Sequence, residues 1–483
     1  MTVVRPLPPY LLCVDFGSTF TKAVLVDTAR AAVDATAQHR TTIPDASGVG
    51  DLLDGYDACR SALVAEVPAA ADAPALACSS AGGGLRIAVV GNEELVTAEA
   101  GRRVALSSGG KVVALLAGGL DGARLAELRA AEPDVVLLVG GTDGGNSEPL
   151  VADADFLSRV PWTGPVVVAG DVEAQDAVAA RLESSRTPYV LADNVVPRIG
   201  VLAPDSARAA IREVFLEHVI GGKHLSARAE LATMVLGPTP DLVLLGVELL
   251  ADAHASTTPG SGVVAVDVGG ATTDVYSVVV PDPEDGSLSR EVVATSAVTR
   301  TVEGDLGMRW SAVSTAEAAV EAGLDLGVAL PDLEDGARRR AADPGLMAAS
   351  AEDLAVDRTL ASAAVLTAVR RHAGRSRVVL APDGRVVERS GKNLRAVDLL
   401  VGSGGVLRAA DEDVAGRILE VATGHDAEGW QLPESPDVVV DELSVLAAAG
   451  LVALHGGDEA AADVARNLIC NSVSGTAHGR SKA

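Results

Sequence analysis

The chain has 483 residues, enough for two or more domains with substantial cores. Its 39 basic residues stand against 66 acidic ones, a net charge of −27. That balance argues against nucleic acid or an anionic membrane as partner. Apolar residues make up 48% and aromatics only 2%, so the core must be built from Ala, Val and Leu.

Pro6 to Pro9 is a short lead-in with no apolar h-region, and no signal peptide is expected. Leu11 to Thr28 reads as a hairpin, and Ala32 to Thr42 as a third strand. Asp51 to Glu66 reads as a helix. Ala75 to Gly91 reads as two strands around Gly82-Gly83-Gly84. From about 92 to 195 the pattern alternates regularly. Strands fall at Val112–Leu116, Val135–Val139, Val166–Ala169 and Tyr189–Leu191, and helices at Gly122–Ala131, Pro149–Arg159 and Val172–Ser184. Such alternation implies a parallel sheet, here an inserted α/β subdomain.

Residues 206–254 read as mostly helical, broken at Gly221-Gly222 and at Gly237-Pro238-Thr239-Pro240. Ser287 to Val302 reads as a strand pair or one long strand. Helices are expected at Thr315–Ala322 and Ala351–His372, with Pro331 to Gly345 as a charged loop between them. Val397–Val401 is a strand followed by a helix from Val406 to Ala410. Val438–Val440 leads into a helix at Leu443–Leu454, and the tail from Asn471 is polar and expected to fray. The domain boundaries that follow are 1–91, 92–195, 196–258, 259–440, 441–470 and 471–483. They delimit a first lobe, the inserted subdomain, a helical connection, a second lobe, a closing helix and a tail.

Two near-copies of one turn carry the chemistry. They are Asp15-Phe16-Gly17-Ser18-Thr19-Phe20-Thr21-Lys22 and Asp267-Val268-Gly269-Gly270-Ala271-Thr272-Thr273-Asp274. Each sits between two apolar β-like runs. Gly17, Gly269 and Gly270 let backbone N–H groups approach a ligand. Ser18, Thr19, Thr21, Thr272 and Thr273 offer hydroxyl donors to phosphate oxygens. Asp15 and Asp267 supply hard oxygens for Mg²⁺, best through water, and Lys22 can offset phosphate charge. A hairpin turn alone would use similar residues. Two copies, facing each other, point to a nucleoside triphosphate and its metal.

Gly402-Ser403-Gly404-Gly405, after a strand and before a helix, is a further nucleotide cue, although a plain helix-starting turn looks the same. Gly140 to Asn146, at a strand end in the insertion, is either a ligand loop or a tight βα turn. Glu303 to Arg309 places two carboxylates and an arginine near glycines, either to act on Mg²⁺ or the attacking water, to line a partner surface, or simply as a charged turn. Asp241 heads a helix, where the macrodipole alone favours an acid. Arg370, Arg371 and His372 end a helix, where basic residues are expected for the same reason. Cys13, Cys59, Cys78 and Cys470 form no paired motif and suit a reduced cytosol. No run approaches the ~18 apolar residues of a membrane span.

The order of motifs resembles the actin-like ATPase superfamily of sugar kinases, actin and DnaK-type chaperones. The resemblance implies two α/β lobes with Mg-ATP between them. It places Asp15 to Thr19 and Asp267 to Thr273 at the phosphates, with Asp15 and Asp267 as the catalytic and metal-organising acids. Gly402 to Gly405 falls at the adenosine, Leu443 to Leu454 on the closing helix, and Pro240 to Leu250 on its counterpart. The superfamily's usual acid on that counterpart helix is not evident.

A closer resemblance rests on Val14 to Lys22, Cys78 to Gly83, Val139 to Gly145, Asp267 to Asp274 and Val302 to Arg309. These strings are similar to the glutamate mutase accessory family, called GlmL or MutL and unrelated to mismatch repair. The resemblance implies a cytoplasmic ATP-driven chaperone or reactivase. Its partner would be an adenosylcobalamin-dependent glutamate (methylaspartate) mutase or a related mutase. A small-molecule kinase on the same fold and a non-hydrolysing assembly factor are the competing readings. A reductive activase would need paired cysteines.

Overall fold

The structure is a computed structural model that describes residues 7–44, 50–222, 225–255, 257–281, 296–381 and 384–477. The chain opens with a three-stranded meander: β1 (Tyr10–Phe16), β2 (Phe20–Asp27) and β3 (Ala32–Arg40). The helix Leu52–Glu66 follows, its first turn capped by the Asp51 carboxylate, which accepts from Leu53 N. Strand β4 (Ala75–Ser79) then lies parallel to β1.

The insertion starts here. Strands β5 (Leu85–Gly91), β6 (Gly110–Ala117), β7 (Val135–Leu138), β8 (Val166–Val168) and β9 (Tyr189–Leu191) form an all-parallel sheet in the order β6-β5-β7-β8-β9. Leu85–Gly91, expected to belong to the first lobe, is therefore the second strand in this sheet. The two strands read around Gly82-Gly83-Gly84 end up in different sheets. Strand β6 follows a helix, Glu99–Ser107, that the sequence pattern did not reveal.

Residues expected to be mostly helical up to 254 contain one strand, β10 (Val235–Pro238). It returns to the first sheet beside β4 and completes the order β10-β4-β1-β2-β3. The second lobe repeats the plan. Strands β11 (Gly262–Val268), β12 (Thr273–Val279) and β13 (Val298–Glu303) form the meander. A hairpin of β14 (Arg375–Ala381) and β15 (Gly384–Ser390) stands apart. Strands β16 (Leu399–Ser403) and β17 (Asp437–Val440) are parallel to β11, giving β13-β12-β11-β16-β17. Each sheet is thus an antiparallel meander extended by two parallel strands on the side of its first strand. This duplicated plan is the two-lobed α/β architecture of the actin-like type. Of the expected strand at Ser287–Val302, residues 287–295 lie outside the described residues.

Both first strands are buried on both faces, which explains their near-continuous apolar runs. Leu12, Val14 and Phe16 face the first lobe's own core, while Leu11 and Cys13 face the space between lobes. On β11, Val264, Val266 and Val268 face the helix Ala351–His372, while Val263 and Ala265 face that same interlobe space. Two helices fill it, Thr239–His254 and Val445–Gly456, backed by Glu459–Ala477.

Those two helices cross at paired glycines. A Cβ on Gly246 would fall on the Leu446 carbonyl oxygen, and one on Gly450 on the Leu242 carbonyl oxygen. The reciprocity makes the crossing locally two-fold. Glycine is needed on both sides because backbone meets backbone there.

Two expectations fail for a physical reason. Pro331 to Gly345 is a helix for most of its length, Leu330–Ala342. Its Pro sits in the first turn, where a missing N–H costs nothing. Arg340, within that charged stretch, is fully buried and donates to Asp357 at 2.7 Å. The tail does not fray at Asn471: the last helix runs to Ala477, Val473 is buried, and Asn471 Nδ2 donates to Ala31 O at 3.0 Å. Residues 478–483 lie outside the described residues.

Candidate nucleotide site between the lobes

The β1–β2 and β11–β12 turns are the same object built twice. In the first, Asp15 pairs with Lys22 and Phe16 with Thr21 across the strands; in the second, Asp267 pairs with Asp274 and Val268 with Thr273. Gly17 N donates to Phe20 O at 3.2 Å, and Gly269 N donates to Thr272 O at 2.9 Å. An added Cβ would lie 2.7 Å from Phe20 O at Gly17 and 2.8 Å from Thr272 O at Gly269, so both turns exclude a side chain there. The tips meet: a Cβ on Gly270 would stand 2.5 Å from Thr19 Oγ1. Ser18 is exposed beside this contact, and Thr272 Oγ1 donates to Asp274 at 3.3 Å.

Asp15 is positioned from two sides. Thr239 Oγ1 donates to its Oδ1 at 2.7 Å, and Lys22 Nζ reaches its Oδ2 at 3.4 Å. Thr239 opens the first interlobe helix, so the helix head reports directly to the first turn. Sequence reading took that stretch as a helix break and missed the contact. The Pro that follows Thr239 in the helix's first turn was the available signal.

The second turn is braced by the Glu303–Arg309 segment. Met308 N donates to Gly269 O at 3.0 Å, and Arg309 N to Gly270 O at 2.8 Å. Thr273 Oγ1 donates to Leu306 O. Glu303 and Asp305 both accept from Arg371, and Arg309 donates to Asp357. These charged groups are therefore held by one another, and the segment's backbone fixes the turn. Asp274 is bound by Arg300 at 2.5 Å, and Arg300 also donates to the Leu106 and Gly110 carbonyls of the insertion. Burial pushes the Asp274 carboxyl up, and Arg300 opposes that shift.

Gly402 to Gly405 lies beside the second turn, with Ser403 in register with Asp267. Gly404 (φ +120°) has no room for a Cβ against Val268 O, whereas Gly405 is open to solvent. The lack of a side chain at Gly402 is explained by Leu407 and Leu419 packed over it. A small cavity of about 100 Å³ opens next to this turn, lined by Leu407, Arg408, Glu412, Gly416 and Val438 among others. Behind it, the buried Asp441 carboxylate caps the second interlobe helix, accepting from Val445 N at 2.7 Å. Burial raises its pKa, and Arg408 pulls the other way.

Asp241 is not available as a catalytic acid: Arg212 and Arg208 hold it at 2.6 and 3.3 Å, and its side chain is 1% exposed. The Gly140–Asn146 turn is closed on itself. Asn194 Nδ2 donates to Gly141 O and to Asp143, and Gly144 N donates to Asp171.

Thr19 Oγ1, at the meeting of the tips, is buried with no hydrogen-bond partner among the described residues. Both terminal nitrogens of Arg408 are buried and unpartnered in the same sense. A buried donor left unmet costs about 1–3 kcal/mol, so both positions favour an oxygen-bearing ligand. Among the described residues no three His, Cys, Asp or Glu side chains gather as a metal cluster.

The chain matches the family described as MutL protein over residues 11–469. It belongs to the MutL protein family. Over 465 residues it is 32% identical to Protein MutL of Clostridium tetanomorphum, covering 95% of this chain and 99% of that one. Solved structures similar to it include gluconate kinase from Lactobacillus acidophilus (TM-score 0.33, 10% identity, 96% of this chain and 92% of that one). Glycerol kinase of Plasmodium falciparum with ADP (TM-score 0.34, 9% identity, 95% and 92%) is another. The ethanolamine utilization protein EutJ from Carboxydothermus hydrogenoformans is a third (TM-score 0.28, 12% identity, 94% and 92%). The MutL-family fold described above rests on strand order and register, not on these scores. No helix among the described residues is long and apolar enough to cross a membrane.

Proposed function

We propose that this protein binds and hydrolyses ATP with Mg²⁺ between its two turns. In this reading it uses the cycle to remodel an adenosylcobalamin-dependent glutamate (methylaspartate) mutase or a related mutase, releasing damaged cobalamin. The observation that carries the ATP half is the duplicated turn meeting its copy tip to tip, with Thr19 Oγ1 unsatisfied at the junction. Family membership supports the mutase half.

Asp15, held by Thr239 and Lys22, and Asp267 orient the metal's water shell. The Gly270 backbone N–H, with the hydroxyls of Ser18, Thr19 and Thr272, faces the phosphates, while the Gly269 N–H and the Thr273 hydroxyl hold the turn through Thr272 O and Leu306 O. Gly404 and Gly405 lie under the nucleoside, with Arg408 beside it. ATP supplies the phosphoanhydride bond whose loss separates the two states. Because Thr239 ties Asp15 to an interlobe helix, a change at the turn is felt at the lobe hinge. Each nucleotide state must then bind the mutase differently. Moving such an equilibrium from 1:99 to 99:1 needs about 5.5 kcal/mol of differential binding.

The test is rescue. Turnover-inactivated glutamate mutase is mixed with this protein and fresh adenosylcobalamin, with and without Mg-ATP. Recovery only with Mg-ATP supports the reading. No recovery while ATP is consumed refutes it and favours a kinase or another client.

A further inference from the structure

One short turn of the insertion touches the supports of both acids at the nucleotide site. It is residues 106–110, where the helix Glu99–Ser107 passes into β6. The turn is closely bonded: Ser107 Oγ and Ser108 Oγ both donate to Val104 O, and Gly109 N donates to Leu106 O at 3.1 Å.

On one side the turn abuts the head of the interlobe helix Thr239–His254. Gly109 has φ +79°, and a Cβ there would stand 2.9 Å from Asp241 N and 3.0 Å from Pro238 Cβ. Thr239 lies between those two residues and donates to Asp15. The same helix head is gripped by the helix Asp205–Val214, which follows β9. Arg212 Nε donates to Asp241 Oδ2 at 2.7 Å, and Arg208 pairs with both Asp241 and Glu248. Asp241 thus fixes the helix head that holds Asp15.

On its other side the turn meets the second lobe. The Leu106 and Gly110 carbonyls accept from Arg300 at 2.8 and 2.9 Å. Arg300 holds Asp274, the residue paired with Asp267 across the second turn. Next along, Lys111 lies over the segment that braces that turn: a Cβ on Gly304 would stand 2.8 Å from Lys111 Nζ. Arg208, Arg212 and Arg300 are each matched by carboxylates, so these contacts transmit position rather than net charge.

We infer that the 106–110 turn is a positioning element for Asp15 and Asp267 together, so that the seating of the insertion regulates metal-dependent nucleotide binding. The inference rests on the ATP reading of the site. Its physical basis is that the turn is held by backbone contacts and buried ion pairs, which do not deform continuously. A displaced insertion carries the turn with it, and both acids lose their placement. A partner seated on the insertion therefore reaches both acids at once without touching the nucleotide.

The test is calorimetric titration of the full chain with the imido analogue of ATP at rising Mg²⁺. Arg212→Gln releases the helix head, and Gly109→Ala forces a Cβ against it. Each should raise the Mg²⁺ concentration needed for half-maximal binding by about tenfold. Affinity at saturating Mg²⁺ should stay near wild type, whereas general loosening of the fold would lower it too. Arg212→Lys, which keeps the ion pair, should recover most of the shift. Ser108→Ala, which removes one bond closing the turn, should move the requirement in the same direction and keeps the turn testable where Gly109→Ala does not fold. Arg159→Gln, at an exposed ion pair elsewhere on the insertion, should behave as wild type. A wild type that binds the analogue at no Mg²⁺ concentration refutes the ATP reading and the inference with it. A wild type that binds, with an unchanged Mg²⁺ requirement in the Arg212→Gln and turn variants, overturns the inference alone. An equal shift in Arg159→Gln overturns it as well.

Discussion

Replacing either crossing glycine with alanine separates two physical effects of opposite sign. Gly246 and Gly450 lie inside helices, so alanine's higher helix propensity alone stabilises by about 1 kcal/mol per site. The structure predicts the reverse. Each new Cβ falls on the backbone carbonyl oxygen of the partner helix, closer than the 3.0 Å that real Cβ atoms respect. A carbonyl in a helix cannot rotate aside, so the helices must part by roughly 1 Å, thinning the contacts on either side. Such overpacking costs about 1–3 kcal/mol. With backbone as the obstacle we take the upper end, for a net loss of about 2 kcal/mol per variant. The double variant should lose much less than the sum, because helices already parted by one alanine accommodate the second. A coupling of about 1 kcal/mol is expected. Urea unfolding of the wild type, both single variants and the double variant measures all four corners of the cycle. Stabilised single variants, or strictly additive losses, would refute a backbone-to-backbone crossing.

Other outcomes follow from the same geometry. Asp267→Ala should abolish ATP turnover with the urea midpoint unchanged; a folded variant that still turns over ATP would sink the assignment of that turn. Arg300→Met strips the buried Asp274 of its cation, and a loss of about 3–5 kcal/mol is expected by urea titration. His372 is buried between Thr301, Ser277 and Lys392, and burial first and Lys392 second hold its pKa well below 6.5. The unfolded chain therefore takes up a proton near pH 6.5 that the folded chain refuses. Stability present above that pH should fall by about 1.4 kcal/mol on reaching pH 5.5. His372→Gln should flatten that stretch of the profile, and an unchanged slope would exclude His372 as its source. Burial pushes the Cys13 thiol to about 12 and Cys59 to about 11, and Cys78 is buried as well. A thiol reagent should thus modify at most Cys470 in the native protein and all four cysteines in urea.

The parts legible in the sequence were those where local chemistry and local structure coincide. The two Asp-Gly turns needed glycine for backbone reasons visible in the strings themselves. The strands flanking them were continuous apolar runs because both faces are buried. The illegible parts depend on partners distant in sequence. Leu85–Gly91 looks like a partner of β4 but pairs with β6 and β7, and nothing in this largely apolar seven-residue run specifies which sheet receives it. Val235–Pro238 reads as a helix break because its Gly and Pro are helix-hostile, yet it closes the first sheet next to β4. Arg340 made its segment look like a loop, since a fully buried arginine is interpretable only once Asp357, 17 residues on, is seen beside it.

Thr239 was hidden for a similar reason, and it decides how the site can work. Its hydroxyl is 224 residues from the carboxylate it binds. That one contact joins the first turn to the helix that crosses Gly450. The second turn has its own route to the hinge, through the strand-end carbonyl of Gly402, which accepts from Asp441 N at 2.8 Å, and through the Asp441 cap on the helix that crosses Gly246. The two turns are thus wired to opposite members of one helix pair. A ligand drawn to both turns pulls on both helices at their paired glycines. Loosening that crossing with alanine should therefore weaken nucleotide affinity as well as stability, although neither glycine touches the turns. Wild-type nucleotide affinity in a destabilised Gly246→Ala protein would show that the turns and the hinge are not coupled.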